Sequence, residues 1–159
     1  MVKRNEKSAI TQILLALVPY TKQNLLLSFS PHRFFNELEK TSSYSAPSLR
    51  TAFSRGKKDG VFAINKDRVS LSLKARQVVQ PYIAQQLSGG GQLMVIFDIP
   101  ENFSDRRRKL RLLLRQFGFK QIQQSVWMSN QDSREVLFDS ILDLDIADWV
   151  QLYEAVRID

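Results

Sequence analysis

The chain has 159 residues, 43% of them hydrophobic, with only 6 Gly and 5 Pro, so it can bury one ordinary core or two small ones. It has no cysteine, which excludes disulfides and thiolate metal sites and fits a reducing, cytoplasmic compartment. The net charge of +7 is uneven: residues 1–88 carry 14 Lys and Arg against 5 Asp and Glu, the composition of a polyanion-binding domain, and residues 89–159 carry 9 against 11.

Apolar residues at helical spacing predict a first helix that starts near Ser8 and ends at Pro19. This apolar run is too short to span a bilayer, and no small-residue cleavage site follows it, so we expect no membrane partner. The pair Ser30-Pro31, a cap followed by proline, predicts a second helix that runs through Leu38.

A third helix is predicted from Ser45 or Ala46 to about Lys57, with apolar residues facing inward. Two β-like runs over 61–64 and 68–73, with a turn at 65–67, predict a hairpin. A fourth helix over 75–83 contains Pro81, which we expect to kink or split it.

Three helices followed by a two-stranded hairpin is the order of a winged helix-turn-helix, whose third helix enters the major groove. The stretch from Ser45 to Lys74 resembles the recognition helix and wing of winged-helix regulators, although Gly56 stands where an apolar residue is common. The alternative is a winged helix used only for protein contacts. Polar side chains directed outward would contact bases or phosphates of double-stranded DNA: Ser45, Ser48, Arg50, Thr51, Arg55, Lys57, Lys58, Lys66 and Arg68.

Three consecutive glycines after Ser88 mark the predicted domain boundary, because such a run is flexible and rarely lies inside an element. We therefore predict a DNA-binding domain over 1–88, a linker over 89–92 and a second domain over 93–159.

The second domain begins with the apolar run 93–97, typical of a strand covered on both faces. A basic helix capped by Ser104 or Asp105 ends at Gly118, and two short β-like runs, a helix over 133–142 and a strand over 150–158 follow. The order βαββαβ predicts a ferredoxin-like domain, so the expected fold class is α+β.

The stretch FDIPENFSDRRRKLRLLLRQFGFKQIQQSVWMS is similar to the central domain of the PaaX family, repressors of phenylacetate degradation genes. That domain is related to the ferredoxin-like CRISPR-associated Cas-two proteins. PaaX-type repressors also carry a winged helix before it, and their full proteins continue into a further C-terminal domain, which this sequence, ending at Asp159, does not include. The resemblance implies a homodimeric, DNA-binding transcription repressor.

The resemblance to Cas-two proteins also implies an alternative: an adaptor for a CRISPR integrase subunit, or a nuclease that holds Mg²⁺. Asp98 matches the aspartate that faces its symmetry mate in that family and is the candidate metal ligand. With no second acidic residue or histidine expected near Asp98, and with His32 as the single histidine, we expect no catalytic residue and no cofactor.

Two further surfaces belong to the second domain. The basic helix supplies either a second phosphate-contacting patch or a solvated face paired with Glu101 and Asp105; its cations are Arg106, Arg107, Arg108, Lys109 and Arg111. The open face of the sheet would be covered either by a second copy of the chain or by the protein's own winged helix. Candidates for that face are Val126, Trp127, Met128, Leu152, Tyr153 and Val156.

Overall fold

The structure is a computed structural model that describes residues 7–17, 27, 30–65 and 68–158. It contains helices and two separate sheets, so the α+β class is confirmed. The chain divides into two compact units between Val79 and Gln80. This division lies within a helix, ahead of the glycine run at which the sequence predicts a boundary.

The first unit contains α1 (Ala9–Leu17), α2 (Pro31–Thr41), α3 (Ala46–Lys58), the antiparallel pair β1 (Phe62–Asn65) and β2 (Arg68–Leu71), and most of α4 (Leu73–Ile83). Ser8 caps α1, because its Oγ accepts from the backbone N–H of Thr11 at 3.3 Å. Pro31 opens α2 as expected, but the Ser30 side chain makes no capping bond. Pro81 lies inside α4 near its end, and the helix continues through it.

The core of the first unit is built from aromatic and aliphatic side chains of every one of these elements. Phe35 of α2 packs edge-on against Phe53 of α3 at 5.7 Å, and Phe53 contacts Phe62 of β1 at 5.0 Å. Ring pairs of this kind stabilise by about 1 kcal/mol beyond the area that they bury. These contacts join α3 to both neighbours and fix which of its faces points outward.

The second unit contains β3 (Gly91–Phe97), α5 (Ser104–Gln116), β4 (Lys120–Gln123), β5 (Val126–Ser129), α6 (Arg134–Asp143) and β6 (Val150–Val156). The strand order is β4-β5-β3-β6, with each neighbouring pair antiparallel. This is the βαββαβ order that the sequence predicts. Gly118, with φ 79°, ends α5 in the left-handed conformation, again as predicted.

The predicted linker and β3 overlap. Ser88–Gly90 forms a 3-10 turn with positive φ at Gly89 and Gly90, whereas Gly91 and Gln92 belong to β3 and pair with Val156 and Ala155. Strand β3 therefore begins two residues before the predicted second domain. Its residues pair with β6 from Gly91 to Phe97.

The two faces of this sheet differ in burial. Along β3, Leu93, Val95 and Phe97 are buried and the residues between them are only half-buried, so within one chain a single face of the strand is fully covered. The sequence shows one continuous apolar run because both faces are apolar, although the helices of this unit bury only one of them.

Pairing assigns the other strands to the same two faces, since paired residues point to one side. Trp127 and Leu152 pair with buried Val95, and Val156 pairs with Gly91, so these three side chains lie on the helix side. Met94 pairs with both Met128 and Tyr153. We call the second surface the open face; its large apolar residues are Met94, Ile96, Val126, Met128 and Tyr153, and the same pairing also places Gln92, Lys120, Gln151 and Ala155 on it.

Candidate nucleic-acid interface

Helix α3 begins where its sequence directs. Ser45 is in extended conformation, and its Oγ accepts from the Ser48 backbone N–H at 3.4 Å. The Ala46 N–H donates to Glu39 Oε1 at 3.0 Å, which ties the helix start to α2. Side-chain oxygens of this kind satisfy amides that have no partner inside the helix, and each cap stabilises by about 1 kcal/mol.

One face of α3 carries exposed polar residues at the spacing of adjacent helical turns. We call Ser48, Thr51, Arg55 and Lys58 the α3 stripe; all four side chains are exposed. The Ser48 hydroxyl lies 2.9 Å from that of Ser45, and the Thr51 hydroxyl donates to the Pro47 carbonyl at 3.0 Å, so both hydroxyls have internal partners. Arg55 and Lys58 give the stripe two cations that can meet phosphates or base edges.

Arg50 does not belong to this stripe. Arg55 is five positions further along the helix, so the two side chains point in directions that differ by about 140°. Arg50 is half-buried: its guanidinium lies over the ring of Phe35, 5.9 Å from the centroid, and donates to Nδ1 of His32. It also donates to Oδ1 of Asn36 at 3.5 Å. The predicted contact residues therefore divide between two faces.

The remaining predicted contacts lie beyond the stripe. Ser45 and Lys57 are exposed at the start and end of α3. Lys66 and the side chain of Arg68 fall outside the described residues. His32 and Asn36 were not predicted to take part, and the signal that could have found them is their i, i+4 spacing on α2.

The packing around Gly56 explains why glycine stands where winged helices commonly have an apolar residue. Gly56 is buried, and a Cβ at this position would lie 2.7 Å from Cδ1 of Ile10 and 2.7 Å from Cε2 of Phe62. An apolar side chain has no space here, because the side chains of Ile10 from α1 and Phe62 from β1 already pack against the α3 backbone. The glycine therefore sets how closely α3 packs within the first unit.

Most cations of the basic helix α5 contact other residues of the second unit. Arg106 forms an ion pair with Asp145 at 2.8 Å and lies over Phe103, and Arg108 pairs with Asp105 at 3.3 Å. The partner of Arg106 is therefore Asp145, which lies 39 residues away and which the sequence does not single out. Arg107 donates to the Ile99 carbonyl, Arg111 lies over the Phe97 ring, and Lys109 is exposed.

Asp98 is exposed at the end of β3, where its backbone N–H donates to the Trp149 carbonyl at 2.9 Å. It lines a cavity of about 270 Å³ together with Asp148, so the expectation of no second carboxylate nearby is wrong. In the described part of the chain, no cluster of three or more His, Asp or Glu side chains could hold a metal ion.

Among the helices that the structure describes, none is long and apolar enough to cross a membrane.

Comparison with known families supports the interpretation of the second unit. Residues 89–159 match the family model of the PaaX protein central Cas2-like domain. The matched range contains the whole βαββαβ order, from β3 to β6. No curated protein matches the chain.

Proposed function

We propose that this chain, whose residues 89–159 match the PaaX central Cas2-like domain, is a PaaX-like transcription regulator that binds double-stranded DNA as a homodimer. The observation that carries the proposal is the α3 stripe, an exposed polar and cationic helix face in the half of the chain that is strongly basic. The Cas2-like domain lies in the second unit and does not account for the basic first unit.

Three features of the first unit support a winged helix. The described elements follow the order of three helices, a hairpin and a further helix. The contacts of Phe53 with Phe35 and Phe62 anchor one side of α3, and Arg55 and Lys58 lie exposed on another. We propose that the α3 stripe enters the major groove and that Lys57 and Lys58 contact phosphates at its end.

The DNA part of this proposal is tested by salt dependence. Replacing Lys57 and Lys58 together by Gln should weaken duplex binding and lower the slope of log K against log salt by about two, one per lost phosphate contact. The matched control is Arg108→Gln with Lys109→Gln, the same charge change in the second unit. Fluorescence anisotropy with a labelled duplex measures both. Equal losses in the two variants would count against the proposal, as would no duplex binding by the wild type at 50 mM salt.

The dimer part of the proposal depends on the open face. Met94 lies at its centre between Met128 and Tyr153, and Tyr153 is 46% exposed. Exposed apolar surface costs about 25 cal/mol per Å², so pairing with a second copy would stabilise this face. A two-fold dimer would also space two α3 stripes for an inverted repeat.

Sedimentation of the full chain at micromolar concentration tests the dimer. The wild type should sediment as a dimer, and Met94→Glu should dissociate it, because pairing would bury an unpaired charge. Phe138→Glu is the matched control, since Phe138 is 55% exposed and belongs to α6, not to the open face. A monomeric wild type, or a Met94→Glu variant that remains dimeric, would contradict this part.

A further inference from the structure

The first unit contains an apolar groove that its proposed function does not use. The groove has a volume of about 450 Å³ and is lined by α1, α3, α4 and the residue before β1. Its wall is formed by apolar side chains and a glycine: Ala9, Ile10, Leu14, Ala52, Gly56, Val61, Ala75 and Val78. This volume and this predominantly apolar lining are typical of small-molecule sites.

The groove cannot close by moving α1 onto α3. Gly56 forms part of the wall at the point where α3 already meets Ile10 and Phe62, with no space even for a Cβ. The volume remains beside this contact because Ala9, Ala52 and Ala75 are too short to fill it. Binding of an apolar group that displaces water from this wall lowers the free energy, because apolar surface is removed from water.

The mouth of the groove favours an anion. Arg55 and Lys74 are exposed there, and among the described residues neither forms an ion pair. Asp59 is also at the mouth, so the three ionised side chains sum to one positive charge. Ala9 and Ala75 lie in the first turns of α1 and α4, whose N-terminal ends add positive potential. The C-terminal end of α3 adds negative potential at the same place, and the positive charge of Arg55, in the last turn of α3, opposes it.

We propose that this groove binds a small amphipathic carboxylate, with its apolar body against the wall and its carboxylate between Arg55 and Lys74. Arg55 is also part of the α3 stripe, so a bound carboxylate and a DNA phosphate compete for the same guanidinium. The carboxylate is then a negative effector of DNA binding, a consequence that rests on the proposed function, whereas binding in the groove does not. By linkage, DNA weakens carboxylate binding by the same factor.

The test uses the full chain and octanoate as the probe, with octanamide as the uncharged analogue and acetate as the analogue without an apolar body. Octanoate should raise the midpoint of thermal unfolding and weaken duplex binding by about tenfold, a typical size for such coupling. Octanamide should act more weakly on both, and acetate on neither.

Two variants separate the parts of the site. Ala52→Leu fills the groove and should remove the octanoate effect, and Lys74→Gln should weaken octanoate binding several-fold without changing the octanamide response. Lys109→Gln, in the second unit, is the charge-matched control. Octanoate without effect on the wild type, or with an unchanged effect on both groove variants, would overturn the proposal. If octanoate shifts the unfolding midpoint but the wild type binds no duplex, carboxylate binding in the groove is supported and the proposed DNA-binding function is contradicted.

Discussion

The Arg50 guanidinium donates a hydrogen bond to Nδ1 of His32, so a residue predicted to read bases is held by the preceding helix. The same guanidinium lies over the Phe35 ring. Arg50→Ala should therefore lower the free energy of unfolding by about 0.5–1 kcal/mol, the size of a partly exposed cation–π contact. Arg55→Ala should leave it unchanged, because Arg55 is exposed.

Urea unfolding of both variants measures this difference. Arg50→Lys keeps the charge but not the planar fork, and it should lose most of the same stability. An Arg55→Ala variant that loses as much stability as Arg50→Ala would show that the stripe, too, is part of the packed structure.

Gly56→Ala should destabilise the first unit although alanine favours helix by about 1 kcal/mol. The new Cβ would lie 2.7 Å from Ile10 Cδ1, and overpacking of this kind costs about 1–3 kcal/mol. Ile10→Val removes that Cδ1, so the double variant should recover part of the loss. Ser54→Ala, at an exposed position of α3, is the control and should be neutral or slightly stabilising. An additive double variant, measured by thermal unfolding, would mean that the contact is not the cause.

The ion pair between Asp132 and Arg134 makes a prediction about pH. A hydrogen bond from Arg134 Nε at 2.9 Å holds the pKa of the Asp132 carboxyl below its ordinary value. Because the pKa is lower in the folded than in the unfolded protein, the stability that the pair contributes is complete above the unfolded pKa. It is lost as the pH falls through the folded pKa.

Arg134→Gln should therefore raise the pKa of Asp132 and flatten the acid side of the stability curve. Carboxyl NMR titration gives the pKa, and Arg108→Gln, which removes the exposed partner of Asp105, is the control. The assignment fails if the pKa of Asp132 is the same in the wild type and in Arg134→Gln.

Asp98→Ala should leave duplex binding nearly unchanged, since the carboxylate is exposed at the end of β3, within the second unit. Incubation of the wild type with labelled single- and double-stranded DNA and RNA, plus Mg²⁺ or Mn²⁺, should give no cleavage. Asp148→Ala tests the other carboxylate of the same cavity. Cleavage that disappears in Asp98→Ala would instead support the metal-dependent nuclease.

The sequence was most informative where one local signal determines an element. Ser45 and Pro47 locate the start of α3, and Gly118 ends α5, because caps and positive φ values are properties of short segments. The side of the sheet on which Trp127 lies depends on its pairing with Val95, which spacing does not determine. The register shift between Gln121 and Gln123 makes the alternation still harder to follow.

The candidate site, too, was predicted only where a local pattern determines it. Helical periodicity places Arg55 and Lys58 on the outer face of α3. It does not reveal that Arg50 contacts His32, since these two residues lie on different helices and are 18 positions apart in the sequence. The pair of Arg106 with Asp145 is likewise a tertiary contact, formed only once α5 and the end of α6 pack on one sheet.

Whether the α3 stripe reads DNA sequence is decided by comparing affinities for two duplexes. A preferred duplex is first selected from a random library with the wild-type protein, and its affinity is compared with that of a scrambled duplex at one salt concentration. The wild type should prefer the selected duplex, and replacing Arg55 and Lys58 together should bring the affinity ratio close to one, because the two stripe cations that can reach base edges are lost. The control with Arg108 and Lys109 replaced should keep the wild-type ratio. An unchanged ratio in the variant lacking Arg55 and Lys58 would contradict the proposal, because sequence reading would then lie outside the α3 stripe.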